Sequence, residues 1–157
     1  MGPRFEMMSS SHAFEQSGPV GEAAVDQGQR CTSSEGRRIL AVEDDDLMLE
    51  YLSSALDAER FTVDSAPTCE EAMRRVLFHD YSVILMDLIL PDGNGLQLFR
   101  QIARRRPAIQ SRIIFVTGAL SRREARRFSK LVDNPLILKP FRLEDLITAV
   151  RRIESRN

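Results

Sequence analysis

The stretch that decides the fold is YSVILMD, Tyr81–Asp87. Val83–Met86 is a short apolar run without polar alternation, and it begins with two β-branched residues. Such a run reads as a strand buried on both faces, the kind found at the centre of a parallel sheet. It closes abruptly on a carboxylate, Asp87.

Working outward, four further segments have strand character: RILAV (Arg38–Val42), FTVDSA (Phe61–Ala66), RIIFVTG (Arg112–Gly118) and PLILK (Pro135–Lys139). Amphipathic stretches separate them. DLMLEYLSSALDAE (Asp46–Glu59) places Leu49, Leu52, Ala55 and Leu56 on one helical face. PTCEEAMRRVLF (Pro67–Phe78) is a helix opened by a capping box from Thr68 to Glu71. PDGNG (Pro91–Gly95) is a Gly-rich turn leading into the helix LQLFRQIARRR. SRREARRFSKLV (Ser121–Val132) is a helix with a second capping box, Ser121 to Glu124. LEDLITAVRRI (Leu143–Ile153) is the last helix. Five strands alternating with five helices call for an α/β fold, a parallel sheet covered by helices on both faces.

The bulk numbers agree and exclude other classes. The chain has 157 residues, 43% of them hydrophobic and 29% charged, as expected of one globular domain with a real core. Residues 1–36 are rich in Ser, Gly, Gln and Glu, and too poor in branched apolar residues to offset their ordering entropy. They read as a disordered tail or linker, with the folded domain over 37–157. A formal net charge of -1 argues against nucleic-acid binding driven by bulk charge. The basic stretch SRREARRFSK is interleaved by Glu124 and reads as a solvated face. Cys31 and Cys69 are far apart, with no His or Cys neighbour to make a zinc site or a disulfide framework. No apolar run is long enough to span a membrane, and the N-terminus lacks a secretory h-region. The expectation is a cytoplasmic protein.

In doubly wound sheets the site lies at the carboxyl ends of the strands. There the sequence sets Glu43 and Asp44 after the first strand and Asp87 after the third. Thr117 and Gly118 end the fourth strand, and Lys139 and Pro140 the fifth. Clustered carboxylates need a cation, and hard oxygen ligands suit Mg²⁺. One carboxylate could then attack a phosphoryl group to give an aspartyl phosphate. Asp87, ending the central strand, is the natural nucleophile. Glu43 and Asp44 become metal ligands, Thr117 a hydrogen-bond donor and Lys139 the counter-charge. Asp45 and Asp46 start the next helix, where carboxylates suit the free N–H groups and the dipole.

The segments ILAVEDDD, VILMDLILPDGNGLQL, IIFVTGA and PLILKPF, in this order and spacing, resemble the receiver domain of bacterial two-component response regulators. The resemblance implies a flavodoxin-like (βα)5 fold with strand order 2-1-3-4-5. It implies that Asp87 takes a phosphoryl group from a phosphohistidine on a histidine kinase or histidine phosphotransfer protein. It implies Mg²⁺ bound by Glu43, Asp44, Asp87 and the backbone carbonyl of Ile89, and phosphoryl oxygens met by Thr117, Gly118 and Lys139. It also implies a cis Lys139–Pro140 bond, and a 121–153 face on which an output partner or a second copy docks. No enzymatic activity beyond slow self-dephosphorylation is expected.

Leu136 stands where receivers commonly carry an aromatic switch residue, and leucine has no ring to rotate. Ile89 and Ala119 flank the path of a hydrolytic water and cannot orient it, which predicts a long-lived phosphoryl group. With no output domain in the sequence, two arrangements stay open: a single-domain regulator, or the terminal receiver of a hybrid histidine kinase. Other readings are a pseudo-receiver that binds partners without phosphorylation, an aspartyl-phosphate phosphatase, and a flavin protein. The last two lack, respectively, an acid at position 89 and a phosphate loop after the first strand.

Overall fold

The structure is a computed structural model that describes residues 37–156. The reading of residues 1–36 as a tail or linker, and Cys31 with it, lies outside the described residues.

The apolar runs become the strands of one parallel sheet: β1 (Arg38–Val42), β2 (Thr62–Ala66), β3 (Val83–Met86), β6 (Ile113–Thr117) and β7 (Leu136–Leu138). Their spatial order is β2-β1-β3-β6-β7. Counted along the sheet alone this is 2-1-3-4-5, the flavodoxin-like doubly wound arrangement. Two short strands, β4 (Ile89–Leu90) and β5 (Gly93–Asn94), form a separate antiparallel hairpin. The expected PDGNG turn is therefore partly strand. Leu90 on its first strand is buried in the core, which gives the hairpin an apolar anchor.

The helices are α1 (Asp46–Asp57), α2 (Cys69–Phe78), α3 (Gly95–Arg105), α4 (Pro107–Gln110), α5 (Arg122–Phe128) and α6 (Leu143–Glu154). The short α4 was not anticipated; Pro107 starts it at the position where a missing N–H costs least.

Strand residues alternate between two cores. Leu40, Val42, Ile84, Met86, Ile113 and Phe115 pack with side chains of α2, α3 and α5 on one face. Ile39, Ala41, Val83, Leu85, Ile114 and Val116 pack with α1 and α6 on the other. Apart from Ala41, each such side chain, fully buried, contributes roughly 1.5–3 kcal/mol. That is why β3 has to be apolar at every position.

Two local expectations are corrected. Thr68 Oγ1 accepts from Glu71 N (3.1 Å), but the Glu71 carboxylate turns to Arg74 and Arg75, so only half of that capping box forms. The helix expected to reach Val132 stops at Phe128. There Lys130 N and Leu131 N bond three residues back, tightening the chain out of the α-helical pattern. The box at Ser121–Glu124 is complete.

Candidate functional site

Strand register builds the site. Val42 pairs with Met86 in the β1–β3 ladder, so the next residues, Glu43 and Asp87, emerge side by side. Thr117 pairs with Leu138 in the β6–β7 ladder, which brings Lys139 alongside. Backbone bonds extend the ladders to these residues: Asp87 N donates to Val42 O (3.0 Å), and Lys139 N to Thr117 O (2.9 Å). The four side chains are thus placed by a rigid sheet rather than by flexible loops.

Asp87 is buried, 8% exposed, and both of its carboxylate oxygens are engaged. Oδ1 accepts from Thr117 Oγ1 (2.8 Å) and from Ile89 N (3.1 Å). Oδ2 accepts from Lys139 Nζ (2.8 Å). The same ammonium donates to Glu43 Oε2 (2.5 Å). Glu43 is 4% exposed and Thr117 fully buried. Ala119 N donates to Thr117 Oγ1 (3.2 Å), tying the loop after β6 to the same carboxylate. The Lys139–Pro140 bond is cis.

Burial pushes the Glu43 carboxyl above its usual range, against the opposing pull of Lys139. Burial alone would lower the Lys139 ammonium. Its hydrogen bonds to Asp87 and Glu43 outweigh that and hold it above its ordinary value. The site therefore keeps a firmly protonated lysine between two acids.

Asp44 does not join this cluster. It is exposed, and it makes none of these contacts. Asp45 caps α1, its carboxylate accepting from Met48 N (3.0 Å), while Asp46 is the first helical residue. Gly118 lies next to Lys139: a Cβ built there would sit 3.7 Å from the lysine Cβ. Leu136 is half-buried and packs against the core shared by α2, α3 and α5. Ile89 is 62% exposed.

Sequence reasoning missed two supports of the site. Gly95, the first residue of α3, has no room for a side chain: a Cβ there would stand 2.0 Å from the Asp87 carbonyl oxygen. A glycine inside an expected turn gave only a weak hint. Asp92, at the tip of the β4–β5 hairpin, accepts from Cys69 N (2.8 Å) and Glu70 N (3.0 Å), capping α2 from across the fold. Those hydrogen bonds hold its carboxyl below the usual range. The cap anchors the loop after Asp87. Burial, then the nearby Asp92 charge, push the Cys69 thiol up to about 11. Cys69 is the first residue of α2, and its thiol is unpaired with any other cysteine among the described residues.

Glu43 and Asp87 set two buried carboxylates against one ammonium, and the exposed Asp44 follows Glu43 in the chain. The excess negative charge and all-oxygen donor set suit a hard divalent cation. Among the described residues no three acids stand close enough to form a ready-made metal cage. Mg²⁺ needs only one or two carboxylates and keeps positions for water and phosphate oxygens. The residues present fit it. No helix among the described residues is long and apolar enough to cross a membrane.

Comparison with known proteins agrees with this geometry. Residues 39–151 match the family model of the response regulator receiver domain. The curated response regulator ArlR of Staphylococcus aureus is 29% identical over 119 residues. Those residues make up 76% of this chain and 53% of ArlR, so the chain spans about half the length of the curated relatives it matches. Among solved structures, the non-phosphorylated HemR receiver domain from Leptospira biflexa superimposes with a TM-score of 0.65 at 31% identity, covering 76% of this chain and 94% of that one. The response regulator TrrA from Thermotoga maritima, in complex with Mg²⁺-BeF, gives 0.64 at 26% identity, covering 74% and 98%. With most of its length matched by the family model and the site built at the carboxyl ends of a doubly wound sheet, the chain belongs to the response regulator receiver domain family.

Proposed function

We propose that Asp87 accepts a phosphoryl group from a phosphohistidine on a histidine kinase or a histidine phosphotransfer protein. An Asp87 carboxylate oxygen attacks phosphorus, the P–N bond breaks, and its electron pair leaves with the imidazole nitrogen. The product is an aspartyl phosphate. The observation that carries this reading is the enclosure of one buried carboxylate by Thr117 Oγ1, Lys139 Nζ and Ile89 N, within 3.1 Å. The hydroxyl and the ammonium are close enough to turn to the phosphoryl oxygens once Asp87 is esterified. Gly118 leaves the approach beside them open.

Glu43, Asp44, Asp87 and the carbonyl of Ile89 would hold Mg²⁺, which supplies charge neutralisation at the phosphoryl group. The similar Thermotoga maritima regulator, solved with Mg²⁺-BeF, supports that assignment. Leu136 has no ring to rotate. The state of Asp87 is therefore relayed through Thr117, the Ala119 amide and the loop leading to α5, on the 121–153 face.

Leu136 is also the one observation that favours a receiver acting without phosphorylation. A single experiment separates the two. The protein is incubated with Mg²⁺ and acetyl phosphate and its intact mass is measured. The expected result is one added phosphoryl group, absent in Asp87→Asn and absent when the metal is chelated. No adduct on the unaltered protein would overturn the proposal.

A further inference from the structure

The β4–β5 hairpin that follows Asp87 is held from outside the site. Its turn carries one exposed carboxylate, Asp92, and both oxygens are engaged on α2. Oδ1 accepts from Cys69 N (2.8 Å) and Oδ2 from Glu70 N (3.0 Å). The next amide of that helix, Glu71 N, is served locally by Thr68 Oγ1 (3.1 Å), and Ala72 N by the Thr68 carbonyl (3.0 Å). All four N–H groups of the first turn are thus satisfied. Two of them are served by an acid more than twenty residues away. A cap brought from a distant turn fixes the turn as much as it caps the helix.

The tie matters because of where the other end of the hairpin faces. Pairs in an antiparallel ladder alternate between bonded and non-bonded. Gly95 N donates to Leu88 O (2.9 Å), so Leu88 and Gly95 stand at a bonded position. Ile89 and Asn94, the adjoining pair, are then non-bonded, and the backbone groups of Ile89 face away from Asn94. The Ile89 N–H shows the direction, since it donates to Asp87 Oδ1 (3.1 Å). In an extended strand the N–H and C=O of one residue lie on the same edge, so the Ile89 carbonyl also faces the Asp87 side. Leu90 seats the hairpin in the core, and Asp92 at the turn sets its tilt.

We infer that Asp92 is a positioning residue for divalent-cation binding. With both oxygens spent on helix amides, it is not itself a ligand. It acts through the hairpin: pinning the turn to α2 fixes the Ile89 peptide, and with it the carbonyl assigned above to Mg²⁺. The inference rests on that assignment and deepens it. It also carries an ion preference. Mg²⁺ demands near-ideal octahedral geometry, whereas Ca²⁺ accepts irregular ligand sets. A carbonyl that loses its fixed direction therefore penalises Mg²⁺ more than Ca²⁺.

The test compares Asp92→Ala, Asp92→Asn and Thr68→Ala in the full chain. Thr68→Ala also removes a cap from α2, but leaves the hairpin tied. Mg²⁺ and Ca²⁺ affinities are measured by titration calorimetry with no phosphodonor present. Asp92→Ala is expected to weaken Mg²⁺ about tenfold, as loss of a residue supporting a metal ligand does, and Ca²⁺ clearly less. Asp92→Asn keeps one acceptor and is expected to fall between. Thr68→Ala is expected to unfold at lower urea and to bind both ions as the unaltered chain does. In the metal-free protein, hydrogen exchange at the Ile89 and Gly95 amides is expected to quicken in Asp92→Ala and not in Thr68→Ala. An equal loss for both ions would make Asp92 a mere source of negative charge and overturns the inference. A matching Mg²⁺ loss in Thr68→Ala makes helix stability the cause and overturns it too. Unchanged Mg²⁺ affinity in Asp92→Ala overturns the inference alone. An unaltered chain that binds no Mg²⁺ sinks the metal assignment and the inference with it.

Discussion

The hydroxyl of Thr117 donates to Asp87 Oδ1 across 2.8 Å, and no water reaches the threonine. The same oxygen accepts from Ala119 N, so one side chain joins the acid to the loop that opens toward α5. Thr117→Val keeps the shape and removes the hydroxyl. It leaves a buried carboxylate oxygen short of one donor, at a cost of about 1–3 kcal/mol. Urea unfolding should show that loss, and acetyl phosphate labelling should slow. Thr117→Ser should restore most of both. A serine variant no better than the valine one would mean that the methyl packing matters and the bond does not.

Lys139 neutralises two acids that share a buried edge. Lys139→Met leaves Glu43 and Asp87 facing each other. A fully buried pair broken in this way costs roughly 3–5 kcal/mol; with Lys139 18% exposed, about 2 kcal/mol is expected. The deficit should depend on pH with a definite sign. Glu43 already titrates above its ordinary 4.5, chiefly through burial, and removing the ammonium raises it further. A raised acid binds more protons folded than unfolded, so the variant should recover stability as pH falls from 7 toward 4.5. In the unaltered protein the raised Lys139 contributes fully below its ordinary 10.5, and that contribution is lost as pH rises through its folded value. An unfolding gap that is equal at pH 7 and pH 5 would contradict this account.

The acids after β1 divide by role. Asp45→Ala removes the side chain that accepts from Met48 N, and should cost about 1 kcal/mol of stability with little effect on labelling. Asp44→Asn touches no internal bond. It should leave unfolding unchanged and sharply reduce Mg²⁺-dependent labelling. If the two variants exchange phenotypes, the metal assignment is wrong.

Ile89 and Ala119 are both exposed at the mouth of the site, and neither can hydrogen-bond a water through its side chain. Phosphoryl loss should therefore be slow, and Ile89→Asn should speed it several-fold. Following the phosphorylated mass over time checks this, and faster loss from the unaltered chain would sink it.

How much of this was legible follows from where each signal resides. The strands and the site residues at their ends were readable because buried parallel strands are continuously apolar, so a terminal Asp87 or Lys139 stands out against its own run. The register that sets Glu43 beside Asp87 follows once strand order is known. Asp92 could not be read: its partners, the amides of Cys69 and Glu70, lie more than twenty residues away, and only the fold brings them together. Glu71 had the correct spacing for a capping box, yet two arginines on its own helix compete for it more strongly than one backbone amide does. The end of α5 at Phe128 escaped too, because that turn depends on burying Phe128 and Val132 against the sheet and not on a breaker residue. Gly95 was visible as a glycine, but its reason, the Asp87 carbonyl against its Cα, is tertiary.

The central claim is that the phosphoryl group sits on Asp87. After incubation with Mg²⁺ and acetyl phosphate, borohydride reduction converts an aspartyl phosphate to homoserine, and peptide mass spectrometry locates the converted residue. Homoserine at position 87 alone is the predicted result. Conversion at Asp44, Asp45 or Asp46 with position 87 intact, or no conversion in a chain that binds Mg²⁺, would contradict it.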